Sequence, residues 1–461
     1  MADYQLIIIG GGLSGLAAGI RSARFGKKTL IVEQHSLPGG LNSYYYRQGY
    51  LLETGLHAMT NFAPRGEKHA PLNRLFRQLK LSRKKFITHE QMGSEVIFPE
   101  AVLKFSNDPS LLSGEVARVF PATIDRFQAM VKEIDAYNPF ADVPWQSTRN
   151  YLHDRLAEPL LEDMLLLPVM VYGNAEEQDM DLGQFAIMFR ALFLEGFFRP
   201  EGTIKDLLDM LLAQYRKFGG ELRFRAPVKK IISAAKQVHG VQLQSGEEIT
   251  ADAVLSTVGI PGTADLSGWE LDVKQYTGRM SFLETISMVP AANLEQERTR
   301  QTILFYNLKE KLSYQRPDSP IDPSWGVICF PDNFQGLERK DPVQVRVTNA
   351  ANYSLWQQAD PARYQRLKEE CGQRTSAAVG KIIGNYRQDV VYQDSFTPMT
   401  IERFTAKPEG AVYGSPIKIK SGKTPWQNLF IAGTDQGYLG IVGSMLSGVT
   451  IVNQHLLASL S

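Results

Sequence analysis

One ten-residue run near the start, GGGLSGLAAG, constrains this chain more than any other segment. Before it, residues 5–9 (QLIII) read as a buried strand. After it, residues 14–25 read as a helix with small residues on the side nearest that strand, and residues 29–32 read as a second buried strand. A strand, a glycine turn, a helix and a parallel strand make the opening unit of a doubly wound sheet. In that context Gly10 permits the tight turn and Gly12 lets backbone approach a pyrophosphate. Gly15 lets helix and strand pack closely, and Gly19 continues the small face. Leu13 and Ser14 open the helix, whose free N–H groups and dipole favour an anion. Glu33 ends the next strand 18 residues after Gly15, and Gln34 follows it. An acid there accepts hydrogen bonds from a ribose diol and repels a 2′-phosphate, which disfavours NADP. A purely structural glycine turn is the alternative, and the strand, helix and acid in place count against it. The run does not by itself separate FAD from NAD.

Further along, residues 95–105 read as a hairpin around Pro99 and Glu100. Residues 121–137 read as an amphipathic helix, 151–167 as a helix ended by Pro168, and 202–218 as a helix ended by Gly219 and Gly220. Short strands are expected at 221–225, 228–232, 238–243, 248–249 and 253–258. Residues 280–350 alternate strand-like runs with loops, and 363–383 read as a helix. Residues 428–432 read as a strand running into a Gly-rich turn, and 444–459 as a final helix. Cofactor-type patterns thus sit at both ends and near 220–260. This order predicts an α/β protein with a discontinuous Rossmann-type cofactor domain from residues 1–62, 202–262 and 411–461. An α+β substrate domain is inserted as residues 63–201 and 263–410.

Charge balance narrows the partners. Lys and Arg number 50 against 49 Asp and Glu, a net charge of +1. No long-range field favours nucleic acid, and no basic stripe stands out. Cys329 and Cys371 lie far apart without a CxxC partner, so no metal site or disulfide framework is expected; two buried free thiols in a reducing compartment fit better. The start lacks the basic region of a secretory signal, and no run reaches the ~18 apolar residues of a membrane span. The most apolar segments are 164–172 (MLLLPVMVY) and 185–198 (FAIMFRALFLEGFF). Both read as core helices, with an apolar mouth dipping into a bilayer as the alternative. The expected setting is cytoplasmic, with peripheral membrane contact as a variant.

After Glu33 come Pro38-Gly39-Gly40 and then Glu53-Thr54-Gly55-Leu56-His57. A double glycine at this distance, followed by an acidic-x-Gly-x-His element, resembles the FAD-binding family of phytoene desaturases, carotenoid isomerases and retinol saturases. Pro200-Glu201-Gly202-Thr203, Gly219-Gly220 and Val228 resemble that family's mid-chain block. Residues 397–404 (TPMTIERF) with 410–414 (GAVYG) are most similar to the isomerase and saturase branch, and 428–435 with 440–443 resemble the C-terminal flavin block. The likeness spans essentially the whole chain and is specific for the superfamily rather than for a substrate.

The resemblance implies a non-covalent FAD. Gly39, Gly40 and Leu41 would line its phosphates and ribityl chain, with Gly55, Leu56 and His57 in the block near the flavin. Val228 would present backbone to the adenine. Gly433 and Asp435 would meet the ribityl and pyrophosphate region, although Asp435 also reads as a turn residue before Gly437. Gly440, Ile441 and Val442 would begin a helix whose N-terminus faces the flavin and stabilises the negative charge of its reduced form. Flavin amine oxidases and many carotene desaturases carry Arg straight after the double glycine. Leu41 stands there in this chain, which weakens an amine oxidase reading.

The implied activity is an FAD-dependent oxidoreductase acting on carbon–carbon double bonds of an apolar prenyl, carotenoid or retinoid-like lipid by desaturation, saturation or isomerisation. No second GxGxxG follows a strand, so a separate nicotinamide site is not expected. Electrons would then arrive from, or leave to, a partner not encoded in any motif. A flavin amine oxidase and a non-catalytic FAD-binding scaffold are the alternatives. Proton-handling candidates are His57, Glu402 and Arg403. His57 reads equally as a structural histidine holding a loop. Glu402 and Arg403 read first as an ion pair on a strand or loop, and Tyr413 and Tyr438 as packing aromatics.

Overall fold

The computed structural model describes residues 2–55, 57–141 and 143–458. Among them, two seven-stranded sheets form. The first grows from the expected opening unit. Tyr4–Ile9 and Thr29–Val32 run parallel, with Glu221–Arg223 on one side, Glu248–Ser256 on the other, and Leu429–Ile431 parallel to the end of the latter. Thr29–Val32 is buried throughout and Tyr4–Ile9 at all positions but Gln5, as a parallel sheet covered on both faces requires. Val228–Ala234 and Gln237–Leu243 extend this sheet as an antiparallel meander. The strands read separately at 248–249 and 253–258 are one strand. Its first half pairs with Gln237–Leu243 and its second with Tyr4–Ile9, while Asp252 takes an exposed position between them.

Leu13–Arg24 packs on this sheet together with Ile204–Lys217, Gly440–Ile451 and Pro71–Leu79; the last lies within 63–201 yet joins the same apolar cluster. Contact is closest at glycine. A Cβ on Gly15 would sit 2.1 Å from the Gly10 carbonyl oxygen, and one on Gly448 would sit 2.1 Å from that of Ser14. Leu13–Arg24 therefore meets the strand turn on one side and the C-terminal helix on the other, backbone against backbone. Gly15→Ala is expected to cost about 3 kcal/mol or more, since neither backbone has room to give. A thermal melt beside Gly66→Ala, whose Cβ meets nothing within 4 Å, checks it. Equal midpoints for the two variants would refute the close approach.

The second sheet runs in the order 392–396, 281–289, 343–351, 321–329, 303–307, 94–97, 102–105, with the expected hairpin at its edge. One face packs under Pro109–Val119, Ile124–Ala136, Thr148–Leu156, Pro159–Gly173 and Leu182–Phe189. Pro361–Ile383 covers the other. Both of the most apolar segments lie in the first of these cores.

The helix read over 151–167 is in fact two, Thr148–Leu156 and Pro159–Gly173. Left-handed Ala157 ends the first, and Pro168 lies inside the second instead of ending it. Met164 to Leu167, Val169 and Met170 are each at most 1% exposed. Burying six such side chains, at about 1.5–3 kcal/mol each, outweighs the ~3 kcal/mol of an interior proline. The final helix starts at Gly440, four residues before the sequence reading, because 440–443 pack on Leu13–Arg24 instead of forming a turn. It passes into π-helical geometry over Val452–Leu457, and Ser459 lies outside the described residues. No helix among the described residues is long and apolar enough to cross a membrane.

Candidate active site

A cleft of about 1100 Å³ opens where the C-terminal ends of the parallel strands face the second sheet. That is where ligands bind in open α/β sheets. Gly10, Gly12, Leu13, Ser14, Glu33, Gln34, Gly39, Gly40, Leu41, Gly55, His57, Val228, Gly433, Asp435, Gly440 and Ile441 all line it. Gly15 and Val442 sit behind the wall and pack the helices that form it. Leu56 lies outside the described residues.

The two glycine pairs build one cradle. Gly39 N–H donates to the Gly11 carbonyl at 2.9 Å, and Gly12 bridges Gly39. A Cβ on Gly12 would meet only the Gly39 oxygen at 3.9 Å, and one on Gly40 only the Gly12 Cα at 3.7 Å. Space bounded by bare backbone lies between them. Ser14, in the first helical turn, is 7% exposed, and its Oγ has no protein hydrogen-bond partner. A buried hydroxyl at a helix N-terminus calls for an acceptor, and a pyrophosphate oxygen is one. Glu33 is fixed at the wall: Oε2 accepts from Gly11 N–H at 2.7 Å and Oε1 from His35 N–H at 2.9 Å. Each carboxylate oxygen keeps a further lone pair for a ribose hydroxyl. Opposite the cradle, Gly440, Ile441 and Ser444 bring the N-terminus of Gly440–Ile451 to the cleft, with no acidic side chain in its first turn. These residues fit FAD.

Asp435 lines the cleft and is also held by backbone beside it. Its buried carboxylate accepts from Ile260 N–H at 2.6 Å and Ser415 N–H at 2.9 Å, tying the start of the helix Gly259–Ser267 and the loop at Ser415 to the cleft wall. It stands in a short 3₁₀ turn before Gly437, so the turn alternative describes its local geometry.

Beyond the cradle the cleft has an apolar chamber walled by Tyr172, Phe282, Val327, Val412 and Tyr413. The Tyr413 hydroxyl donates to the Val171 carbonyl, while Tyr438 stacks on Phe140 away from the cleft. His57 enters this chamber, and its Nε2 lies 2.8 Å from Glu284 Oε2. Arg346, 1% exposed, donates from Nε to Glu284 Oε1 at 2.7 Å and from Nη2 to the Glu53 carbonyl at 2.6 Å. The Glu53 carboxylate pairs with Arg199 and accepts from Ile204 N–H at 2.6 Å. Burial pushes the Glu284 carboxyl up, but Arg346 and then His57 hold it below its usual range overall.

Glu402 and Arg403 do not form an ion pair, nor do they stand on a strand or loop. Thr397 caps, and Pro398 opens, the helix Pro398–Thr405 that carries them. Glu402 does not reach the cleft; it accepts from Tyr353 Oη at 2.5 Å and from Glu409 N–H at 3.1 Å. Arg403 is exposed on the cleft rim beside Phe404. Of the three proton-handling candidates, only His57 enters the chamber. Lys407 is a wall residue with no sequence signal. Its Nζ donates to Thr434 Oγ1 at 2.7 Å and the Val412 carbonyl at 3.1 Å, and burial lowers its pKa.

A Rossmann-type sheet, a bare-backbone diphosphate cradle and a helix N-terminus facing it across one cleft define an FAD-dependent oxidoreductase. Comparison with known proteins agrees. Over residues 13–454 the chain matches the flavin containing amine oxidoreductases, and it belongs to that family. It is 21% identical to the all-trans-retinol 13,14-reductase of Danio rerio, covering 98% of this chain and 87% of that protein. It is 23% identical to the chloroplastic prolycopene isomerase of Daucus carota over 55% of this chain and 46% of that one. It is 21% identical to the 4,4′-diaponeurosporene oxygenase of Staphylococcus aureus, covering 98% and 97%. Among solved structures, an oxidoreductase from Methanosarcina mazei superposes with a TM-score of 0.68 at 15% identity, covering 97% of this chain and all of that one. A putrescine oxidase variant superposes with a TM-score of 0.66 at 13% identity, covering 99% of each chain.

Proposed function

We propose that this enzyme exchanges a hydride with a carbon–carbon double bond of an apolar polyene or prenyl chain seated in the inner chamber. The observation that carries the reading is the continuity of one cleft, with the glycine cradle at one end and an aromatic and aliphatic chamber at the other. Three relatives bear retinol, prolycopene or diaponeurosporene in their names, which supports a substrate of this kind. Bound flavin supplies hydride exchange with carbon. The chain's own residues orient and enclose. Gly12, Gly40 and Ser14 hold the diphosphate, Glu33 the ribose, and the Gly440–Ile451 N-terminus the electron-rich end of the ring. Tyr172, Phe282, Val327 and Tyr413 exclude water and align the chain of the substrate.

A lipid of this type partitions into membranes. Phe140, Val143 and Trp145, exposed together on one loop, fit a peripheral contact through which it is collected.

Anaerobic titration of the flavin spectrum decides the matter. Polyenes, prenyl lipids and amines are added separately to the oxidised and the dithionite-reduced enzyme. A redox change driven by a polyene or prenyl lipid is expected. Bleaching by amines alone, with peroxide on admitting air, would instead make the chain an amine oxidase. No response to any of them would leave a flavin scaffold.

A further inference from the structure

We infer that His57 carries the proton exchanged with substrate carbon, and that Glu284 and Arg346 are positioning residues that hold its imidazole aimed into the chamber. The inference rests on the double-bond reading above and adds the acid–base group which that chemistry needs.

His57 is anchored from one side only. Nε2 bonds Glu284, and Nδ1 bonds no protein atom among the described residues, while the side chain remains 21% exposed on the chamber wall. Glu284 lies on Ser281–Val289 opposite Thr348, which places Arg346 on the same face of the neighbouring strand, two residues away. Arg346 grips Glu284 through two nitrogens and reaches the Glu53 carbonyl, and Glu53 is itself locked by Arg199 and the N-terminus of Ile204–Lys217. The imidazole is thus the cavity-facing end of a buried chain of alternating charges. A loop-holding histidine needs no such chain.

The phenols and the thiol around His57 are poor proton carriers. Burial raises Tyr45 and Tyr172 well above the usual phenol range and pushes the Cys329 thiol up to about 12. Glu284 stays ionised against Arg346. An imidazole changes charge between about pH 5 and 8.

In the saturating direction the electrons balance as follows. One alkene carbon receives a hydride from reduced flavin, which is thereby oxidised by two electrons. The neighbouring carbon takes the proton from His57, so the π bond is replaced by two C–H bonds. Neutral His57 regains a proton from solvent at the open end of the cleft. In the reverse direction the same nitrogen accepts the proton.

Two measurements test this on FAD-loaded protein. In the first, dithionite-reduced wild type and His57→Gln are mixed anaerobically with all-trans-retinol, and flavin oxidation is followed per bound flavin. His57→Gln is expected to slow it by about 10²–10⁴-fold. A rate within threefold of wild type overturns the proton role. In the second, no substrate is needed. Histidine-labelled oxidised protein is titrated by NMR, with His57→Gln assigning the signal. In Glu284→Gln the His57 titration should move to lower pH by at least about tenfold in proton affinity, while the other histidines stay in place. An unmoved His57 signal overturns the positioning role. Should the wild type react with no polyene in the spectral survey, the double-bond reading fails and the proton role falls with it. Should it react while His57→Gln keeps pace, only the present inference fails.

Discussion

Gly12→Val should yield a folded protein without yellow colour. The backbone at Gly12 has φ −71° and ψ 178°, which a valine adopts without strain. In the protein alone its Cβ would meet only the Gly39 oxygen at 3.9 Å. The backbone and the Cβ are thus accommodated in the protein alone, and the side chain is expected to fill the space between Gly12 and Gly40 that a diphosphate would need. Losing even two charge-assisted bonds from backbone N–H groups, at about 1.5–3 kcal/mol each, weakens FAD binding by roughly 10²-fold or more. Flavin absorbance per protein after gel filtration reads the loss, and urea unfolding of the apo forms reads the fold. The contrast with Gly15→Ala is the point: there the clash is with the protein itself, so stability falls first. A Gly12→Val protein that stays fully yellow would displace the cofactor from this cradle.

Arg346→Met should be the most destabilising single substitution in the second sheet. It strands the Glu284 carboxylate, which is 7% exposed, with His57 as its remaining partner. Breaking a buried ion pair from one side costs about 3–5 kcal/mol. Replacing both partners, as Glu284→Leu with Arg346→Met, should recover much of that loss, because the Glu284 carboxylate is then no longer left buried without its guanidinium. Urea midpoints of wild type, single and double variants check the order. The pH dependence has a defined sign. Glu284 is held below the ordinary value of 4.5, so the pair's contribution is present above about that pH and fades as pH falls through the lower folded value. The gap between wild type and Arg346→Met should therefore narrow in acid. A double variant no more stable than the single one would mean that packing, not charge, sets the cost.

The cofactor half of this enzyme is legible in the sequence because its determinants are local. Gly15 packs on Gly10 within the same turn, and Glu33 at the end of the next strand reaches Gly11 directly. The chemical half is not local. Glu284 and Arg346 are 62 residues apart, and strand register alone makes them neighbours. Each leaves a faint trace, a lone charge inside SFLETISMV and another inside VQVRVTNAA. Such a charge in a buried strand announces a partner without saying which. The helix Pro398–Thr405 was readable, since Thr-Pro is a cap followed by a first-turn proline. On that helix Glu402 is taken up by Tyr353 Oη and Glu409 N–H, partners 49 and 7 residues away that no local pattern marks. Asp435 adds a role that no motif shows: besides lining the cleft, it accepts from two backbone N–H groups far away in sequence.

The backbone contact between Gly448 and Ser14 has a bearing on how the polypeptide matures. The glycine fingerprint leaves the ribosome long before Gly440–Ile451, the helix that presses on its far side. Until that helix emerges, the opening strand–turn–helix has no lid on one flank, and Glu248–Ser256 lacks its pairing with Leu429–Ile431. Nascent chains stalled before this region would carry the glycine fingerprint without the helix N-terminus opposite it, so flavin loading is expected to follow synthesis of that helix.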